Sequence, residues 1–384
     1  MARTFSQWGD VFNVVALALL VYDLTGSGLG VSGVVVAEIL PALLLAPWAG
    51  ALVDRWPRVA VMVGSDAFRA ALMVVLVVWH SSAVGVYAVA FLMSAGAVFF
   101  NPAAGSVLPA LVRRDALVAA NSGIWTAAVL SQIALAPLAG LVITWFGYAP
   151  AFAVNAASFL VSAVVLRGLR VPRAPEALQR RRLWSEAAEG VRVLVRHRML
   201  RALGLGQLLA ALSAGATSAL LVVLAEEHLA VSGRGYGLLL GAIGIGAALG
   251  PLGLLRLIRD PAQPVFVFAP YALRGVVDLV LATVTAVPLA AAVLVAYGVG
   301  TSTGAVTFSS LLQAEAPEEV RGRVFASMDV LWQSGRIASL AVGGILADRY
   351  GIQVVYYIGG ALLLTAAASG LLPQSPPNQP GAGQ

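Results

Sequence analysis

Read as a pattern of apolar and polar positions, the chain divides into twelve apolar runs. They lie near residues 5–24, 31–52, 60–79, 84–108, 121–144, 149–169, 199–224, 235–256, 265–283, 288–313, 325–347 and 353–372. Each is close to the roughly 20 residues that a helix needs to cross a hydrocarbon layer of about 30 Å. Most runs are separated by only a few residues. The long exception, 170–198, is arginine-rich and holds Pro172 and Pro175, and the tail from Pro373 is rich in proline, glycine and glutamine. The pattern predicts an all-α integral membrane protein with twelve transmembrane helices. Residues 1–169 are expected to form one six-helix bundle and residues 199–372 a second. Residues 170–198 then make a linker, and residues 373–384 a disordered tail.

The two bundles read as repeats. Gly140 and Gly147 match Gly344 and Gly351 at an offset of 204, and Ala67-Phe68-Arg69-Ala70 matches Ala272-Leu273-Arg274-Gly275 at 205. Two parallel six-helix pseudo-repeats joined by a long loop are an architecture of membrane transporters. In this register the first span is expected to be several residues shorter than the seventh. Within the linker, Leu183, Ala187, Val191, Leu194 and Val195 fall at helical spacing. That predicts an amphipathic helix from Leu183 to Arg201, lying at the membrane surface.

Composition narrows the class. Hydrophobic residues make up 60% of the 384 and charged residues only 11%, against about 25% charged in soluble domains. A soluble enzyme, a disordered chain and a disulfide scaffold are excluded, the last because there is no cysteine. All 24 basic residues are arginine, and the net charge is +6. In so apolar a chain this excess reads as membrane topology, not nucleic-acid binding. With the N-terminus inside, 19 arginines fall in inner loops and ends and 2, Arg234 and Arg349, fall outside. The positive-inside rule then predicts both termini on the cytoplasmic side. No cleavable signal peptide is expected. His80, His197 and His228 are scattered, so no metal is called for, and without a phosphate-binding loop no cofactor or ATP-driven step is expected.

The loop after the second run reads Gly50-Ala51-Leu52-Val53-Asp54-Arg55-Trp56-Pro57-Arg58. It resembles the Gly-x-x-x-Asp-Arg-x-Gly-Arg signature of the major facilitator superfamily, with Pro57 in place of the usual glycine. Phe100-Asn101-Pro102-Ala103, Pro109-Ala110-Leu111-Val112, Ala120-Asn121, Ser6-Gln7-Trp8-Gly9-Asp10, Leu24-Thr25-Gly26-Ser27 and Arg321-Gly322-Arg323-Val324-Phe325 are similar to one bacterial branch. That branch holds drug–proton antiporters and enterobactin-type siderophore exporters. Ala136-Pro137-Leu138-Ala139-Gly140 resembles the Gly-Pro-x-x-Gly antiporter motif, with Ala136 for the first glycine; Pro137 and Gly140 are expected to kink and thin the fifth helix. The resemblance implies the major facilitator fold. It also implies a cytoplasmic gate holding Gly50, Asp54, Arg55, Arg58 and Asp329, and a central cavity between the halves.

Charges inside the apolar runs cost about 2.5–3.5 kcal/mol or more each and need a reason to be there. Arg274 and Asp278, four apart on one helix face, and Asp66 and Arg69, three apart, read as structural intramembrane pairs. Asp10 and Glu38 have no cation on their own helix and are candidates for proton coupling. Arg336, with its repeat counterpart Gln132, is a candidate for the substrate cavity; the resemblance implies that the spans carrying Gln207 and Ser302 line it, and Trp125 is a further candidate contact. These features predict a secondary active exporter of a small hydrophobic or amphipathic molecule — a drug, siderophore or secondary metabolite — working by proton antiport with alternating access. It is not expected to be an enzyme. Expected partners are the substrate, protons and the lipid of a bacterial cytoplasmic membrane, with the chain acting as a monomer. A nutrient importer on the same fold and a non-transporting scaffold or sensor are the alternatives.

Overall fold

A computed structural model describes residues 2–53, 56–111, 117–169, 191–257, 263–318 and 320–371. Twelve long helices follow one another: α1 (Ala2–Thr25), α2 (Gly28–Val53), α3 (Arg58–Val78), α4 (Ala83–Leu111), α5 (Leu117–Phe146), α6 (Tyr148–Arg167), α7 (Arg198–Ala219), α8 (Gly233–Leu257), α9 (Pro264–Leu281), α10 (Val287–Glu315), α11 (Arg321–Tyr350) and α12 (Ile352–Leu371). All twelve are long and apolar enough to cross a membrane. Their limits follow local chemistry. Proline stands in the first turn of α9 and α10, where its missing N–H costs nothing. Gly147 and Gly351, at φ +77° and +88°, end α5 and α11 in a conformation that only glycine adopts freely.

Packing within the two sets of six helices is the same. In the first set α1 packs on α5 and α6, α3 on α4 and α6, and α2 on α4; in the second, α7 packs on α11 and α12, α9 on α10 and α12, and α8 on α10. The sets meet along two antiparallel seams, α5 with α8 and α2 with α11. We call the end where the odd-numbered helices begin the near end, and the other the far end. At the far end one apolar cluster spans both sets, from Leu19 and Val31 to Leu224 and Ala347. At the near end the core divides. Val53, Met62, Phe100 and Val107 form a cluster in the first set, and Leu200, Phe268, Leu311 and Val324 form another in the second. Among the described residues the two sets are thus fused at the far end and separate at the near end.

Of the helix expected over Leu183 to Arg201, only the last part lies among the described residues, and it is broken there. Residues 170–190 lie outside the described residues. Residues 191–196 are helical, but His197 is extended (φ −87°, ψ 122°) and its ring accepts the Leu200 N–H, so α7 starts afresh at Arg198. Val191 and Val195 are half exposed while Leu194 is buried. Of the stripe residues that are described, Leu194 docks against the Gly204 turn of α7. Residues 373–384, read as a disordered tail, also lie outside the described residues.

Candidate functional site

In the first set, α3 carries Asp66 and Arg69 one turn apart. They form an ion pair at 2.5 Å with both side chains buried. The Arg69 guanidinium lies over the rings of Phe100 (4.8 Å) and Phe159 (4.3 Å), an arrangement that replaces lost hydration of the cation. Asp10 of α1 is close enough to feel the charges of both Arg69 and Asp66. It therefore has a cation nearby, on a neighbouring helix that sequence spacing could not reveal.

The second set repeats part of this site. Gly96 of α4 lies against the stem of Arg69, and Gly300 of α10, 204 positions on, lies against the stem of Arg274. The partners differ. Arg274 stacks over the Tyr297 ring at 4.9 Å and donates to the Tyr297 hydroxyl at 3.2 Å, and that hydroxyl meets Ser218 Oγ at 3.1 Å. Asp278 accepts from Ser213 at 3.3 Å, and its other oxygen has no hydrogen-bond partner among the described residues. The direct Arg274–Asp278 pair expected from spacing is not formed. Both are buried and sense each other's charge, but the guanidinium is drawn to α10 by a ring and a hydroxyl together.

On the α2–α11 seam, Glu38 and Arg336 come from different sets and lie within reach of each other's charge. Arg336 also approaches Gln333 at 3.5 Å. At the near end of the second set is a cavity of about 360 Å³, lined by Gln207 of α7, Phe308 of α10, Phe325, Asp329 and Trp332 of α11, and the buried Arg274 of α9. Asp329, expected at a gate, is on this cavity wall and exposed. Ser302, expected in the cavity, is buried against Gly250 of α8 and donates to the Val299 carbonyl. It faces α8 because α10 packs that side on the glycines of α8. Gln132 is half-buried on α5 beside Ile133, which packs on Gly244.

Pro137 lies inside α5 against Gly241, and Gly140 faces the Gly233 carbonyl. The kink residues are therefore on the seam between the sets. Arg58 is the first residue of α3. Asp54 and Arg55 lie outside the described residues, as do the surroundings of Gly50 and the side chain of Trp125.

Two pseudo-equivalent six-helix bundles fused at one end, with charged groups buried in each and half-buried at their seam, define a membrane transporter of the major facilitator fold. The sequence profile of the transmembrane secretion effectors of that superfamily matches residues 1–380. The chain belongs to this family. It is 28% identical to the multidrug efflux pump Tap of Mycolicibacterium fortuitum, over 95% of this chain and 92% of that one. It is 25% identical to the MFS-type transporter YfiS of Bacillus subtilis (strain 168), over 94% and 89%. Among solved structures, a bacterial homologue of the iron transporter ferroportin in its inward-facing state superposes with a TM-score of 0.76 at 17% identity, covering 96% of this chain and 95% of that one. The nucleoside transporter NupG superposes with a TM-score of 0.75 at 13% identity, covering 95% of each chain. These structures share the fold.

Proposed function

We propose that this transporter exports small hydrophobic or amphipathic molecules across the bacterial cytoplasmic membrane in exchange for protons, with both termini in the cytoplasm. The observation that carries the reading is the placement of Glu38 and Arg336 on α2 and α11, which pack across the seam, within reach of each other's charge but without a direct ion pair. A carboxylate of one half and an arginine of the other must change neighbours whenever the halves rock, so the protonation of Glu38 and the direction the protein faces are linked. Asp10, beside the Asp66–Arg69 pair, is the second carrier in the first half. The efflux name of the Tap relative and the arginine asymmetry support export and orientation. With the near end cytoplasmic, the fused far end and the divided near end correspond to an inward-facing state, ready to load substrate.

The test is transport in proteoliposomes with an imposed pH gradient. Asp10→Asn and Glu38→Gln keep size and remove titration. At least one should abolish gradient-driven transport while leaving equilibrium substrate binding intact. Wild-type rate and pH dependence in both variants would exclude these groups as carriers. Accumulation running from the far side to the near side would favour an importer.

A further inference from the structure

We propose that a groove on the outer surface of the first half, between α2, α3 and α4 at the near end, binds one anionic phospholipid. An acyl chain lies along the groove, and the phosphate meets Arg58 at its mouth. The inference goes beyond the export reading and does not depend on it.

The groove has a volume of about 560 Å³ and lies between Val53 of α2, the stretch of α3 from Ala60 to Phe68 and the stretch of α4 from Ala95 to Phe99. Gly64 and Phe68 are exposed in it. Because α3 packs on α4 and α6, away from the α5–α8 and α2–α11 seams, the groove opens on the outside of the bundle. Both α3 and α4 are membrane spans, so hydrocarbon surrounds the opening. Ser65, the lining residue with a hydroxyl, donates it to the Gly96 carbonyl. The length of the groove is therefore apolar to whatever enters, which favours a lipid chain over water.

The mouth has the opposite character. Trp56 is exposed there, as befits an indole at a membrane–water boundary. Arg58 lies between the lining residues Pro57 and Ala60 and has no ion-pair partner among the described residues. Pro57 gives α3 no side-chain cap, so first-turn N–H groups stand beside the arginine. The segment from Val53 to Val61 sets Asp54 against Arg55 and Arg58. A lipid phosphate thus meets net positive charge.

The repeat separates chain recognition from headgroup recognition. A second groove of about 360 Å³ lies between α8, α9 and α10. Gly64, Phe68 and Phe99 of the first groove correspond to Ala269, Leu273 and Thr303 of the second, at offsets of 205, 205 and 204. The apolar trough therefore recurs. Its charged mouth does not, because at the offset of 205 Trp56 becomes Pro261 and Arg58 becomes Gln263. Selection for an anionic headgroup belongs to the first groove alone.

The experiment reads Trp56 fluorescence in the full-length protein, taken as the difference between wild type and Trp56→Phe. The protein is reconstituted in phosphatidylcholine vesicles containing a small fraction of lipid with brominated acyl chains, which quench a nearby indole. Brominated phosphatidylglycerol should quench at a lower mole fraction than brominated phosphatidylcholine. Arg58→Gln should weaken the phosphatidylglycerol effect about fivefold, the worth of one arginine at a charged membrane surface. A Cβ on Gly64 meets nothing within 4 Å, so Gly64→Leu should fill the groove without disturbing the fold. It should lose most of the quenching by either lipid while unfolding thermally like wild type. In detergent, phosphatidylglycerol should raise the unfolding temperature of wild type but not of Gly64→Leu, and soluble glycerol phosphate should raise neither. Equal quenching by the two brominated lipids, or unchanged quenching in Arg58→Gln or Gly64→Leu, would overturn the proposal. Stabilisation by glycerol phosphate equal to that by the lipid would replace it with a simple anion site.

Discussion

The carboxylate of Asp348, near the last turn of α11, accepts the backbone N–H of Gly28, the first residue of α2, at 2.5 Å. It also accepts the Leu29 N–H at 3.2 Å and the Ser27 hydroxyl at 2.6 Å. A carboxylate of one half thus caps a helix of the other, satisfying free N–H groups and meeting the positive end of the helix dipole. Tyr22 adds a second bond across the halves, to Glu227 at 2.9 Å. Because Asp348 is exposed, the capping contribution is modest, on the order of 1–2 kcal/mol. That is enough to shift an open–closed balance about tenfold. Asp348→Ala should therefore open the far end more often. The chain has no cysteine, so Ser32→Cys is a clean reporter: Ser32 is 1% exposed beside Gly344 on the seam. Thiol labelling at this position should accelerate in the Asp348→Ala background. An unchanged rate would mean that Asp348 does not hold the end shut.

The repeat was legible because its marker glycines do the same mechanical work twice. Gly140 of α5 lies against Gly233 of α8, and Gly344 of α11 lies against Leu29 of α2, each pair 204 positions from the other. Gly147 and Gly351 then close both helices at positive φ. Span positions were legible for a simpler reason: a membrane helix is an apolar run of fixed length. The partners of the buried charges were not. They depend on how each helix is rotated about its axis, and helices apolar on every side carry little sign of that in sequence. Spacing along α9 suggested Asp278 as the partner of Arg274, while the actual ring and hydroxyl, those of Tyr297, are 23 residues away on α10. Ser302 was misplaced for the same reason. Its α10 position was readable, but not which face meets Gly250.

The Arg274 site reverses one expectation. If Asp278 were its ion-pair partner, Asp278→Asn would strand a buried cation and damage folding severely. With Tyr297 holding the guanidinium, Asp278→Asn should cost little, because an amide oxygen can still accept from Ser213. Tyr297→Phe should be worse, since it deprives a buried arginine of its hydroxyl acceptor and Ser218 of its partner, a loss of about 1–3 kcal/mol. Thermal unfolding in detergent should rank wild type above Asp278→Asn, and Asp278→Asn above Tyr297→Phe. The opposite order for the two variants would reinstate the direct pair.

Glu226, in the turn between α7 and α8, gives the far end a pH dependence. Partial burial and the charge of Asp23, which belongs to the other half, push its carboxyl above the ordinary value of 4.5. The closed end thus binds this proton more tightly than an opened end would. Ionised Glu226 opposes closure, and its effect is fully present above the raised value. It fades as pH falls through the window down to 4.5 and is absent below it. Glu226→Gln should slow Ser32→Cys labelling at neutral pH, and the difference from the unsubstituted reporter should disappear in acid. A difference that grows in acid would contradict the sign.

Orientation can be read with single cysteines at exposed turns. Ser81 and Thr285 are exposed at the far end, and Gln263 and Glu318 at the near end. Gly233, which the sequence suggests as a far-end loop, is unsuitable because it is buried against Gly140 and Leu19. In intact cells an impermeant maleimide should label Ser81→Cys and Thr285→Cys, and should reach Gln263→Cys and Glu318→Cys only after the membrane is broken. The reverse pattern would invert the topology and make the described state outward-facing.

The cross-seam pair yields the sharpest prediction. Glu38 and Arg336 lie within reach of each other's charge across the α2–α11 seam, so their effects are expected to be coupled. Arg336→Gln removes the cation and leaves Glu38 without its facing charge. Glu38→Gln leaves Arg336 half-buried, with a long hydrogen bond to Gln333. Each single change should lower thermal stability, and the double change should lower it by less than the sum of the two, with a coupling of about 0.5–3 kcal/mol. Transport should split from stability. The double variant should fold as well as either single one and still bind substrate, yet it should not accumulate substrate against a gradient, because Glu38, the proposed proton carrier of the seam, no longer titrates. Strict additivity in unfolding would show that the two side chains do not act together. Recovery of gradient-driven transport in the double variant would show that the pair holds the halves in register and that the proton travels by Asp10 instead.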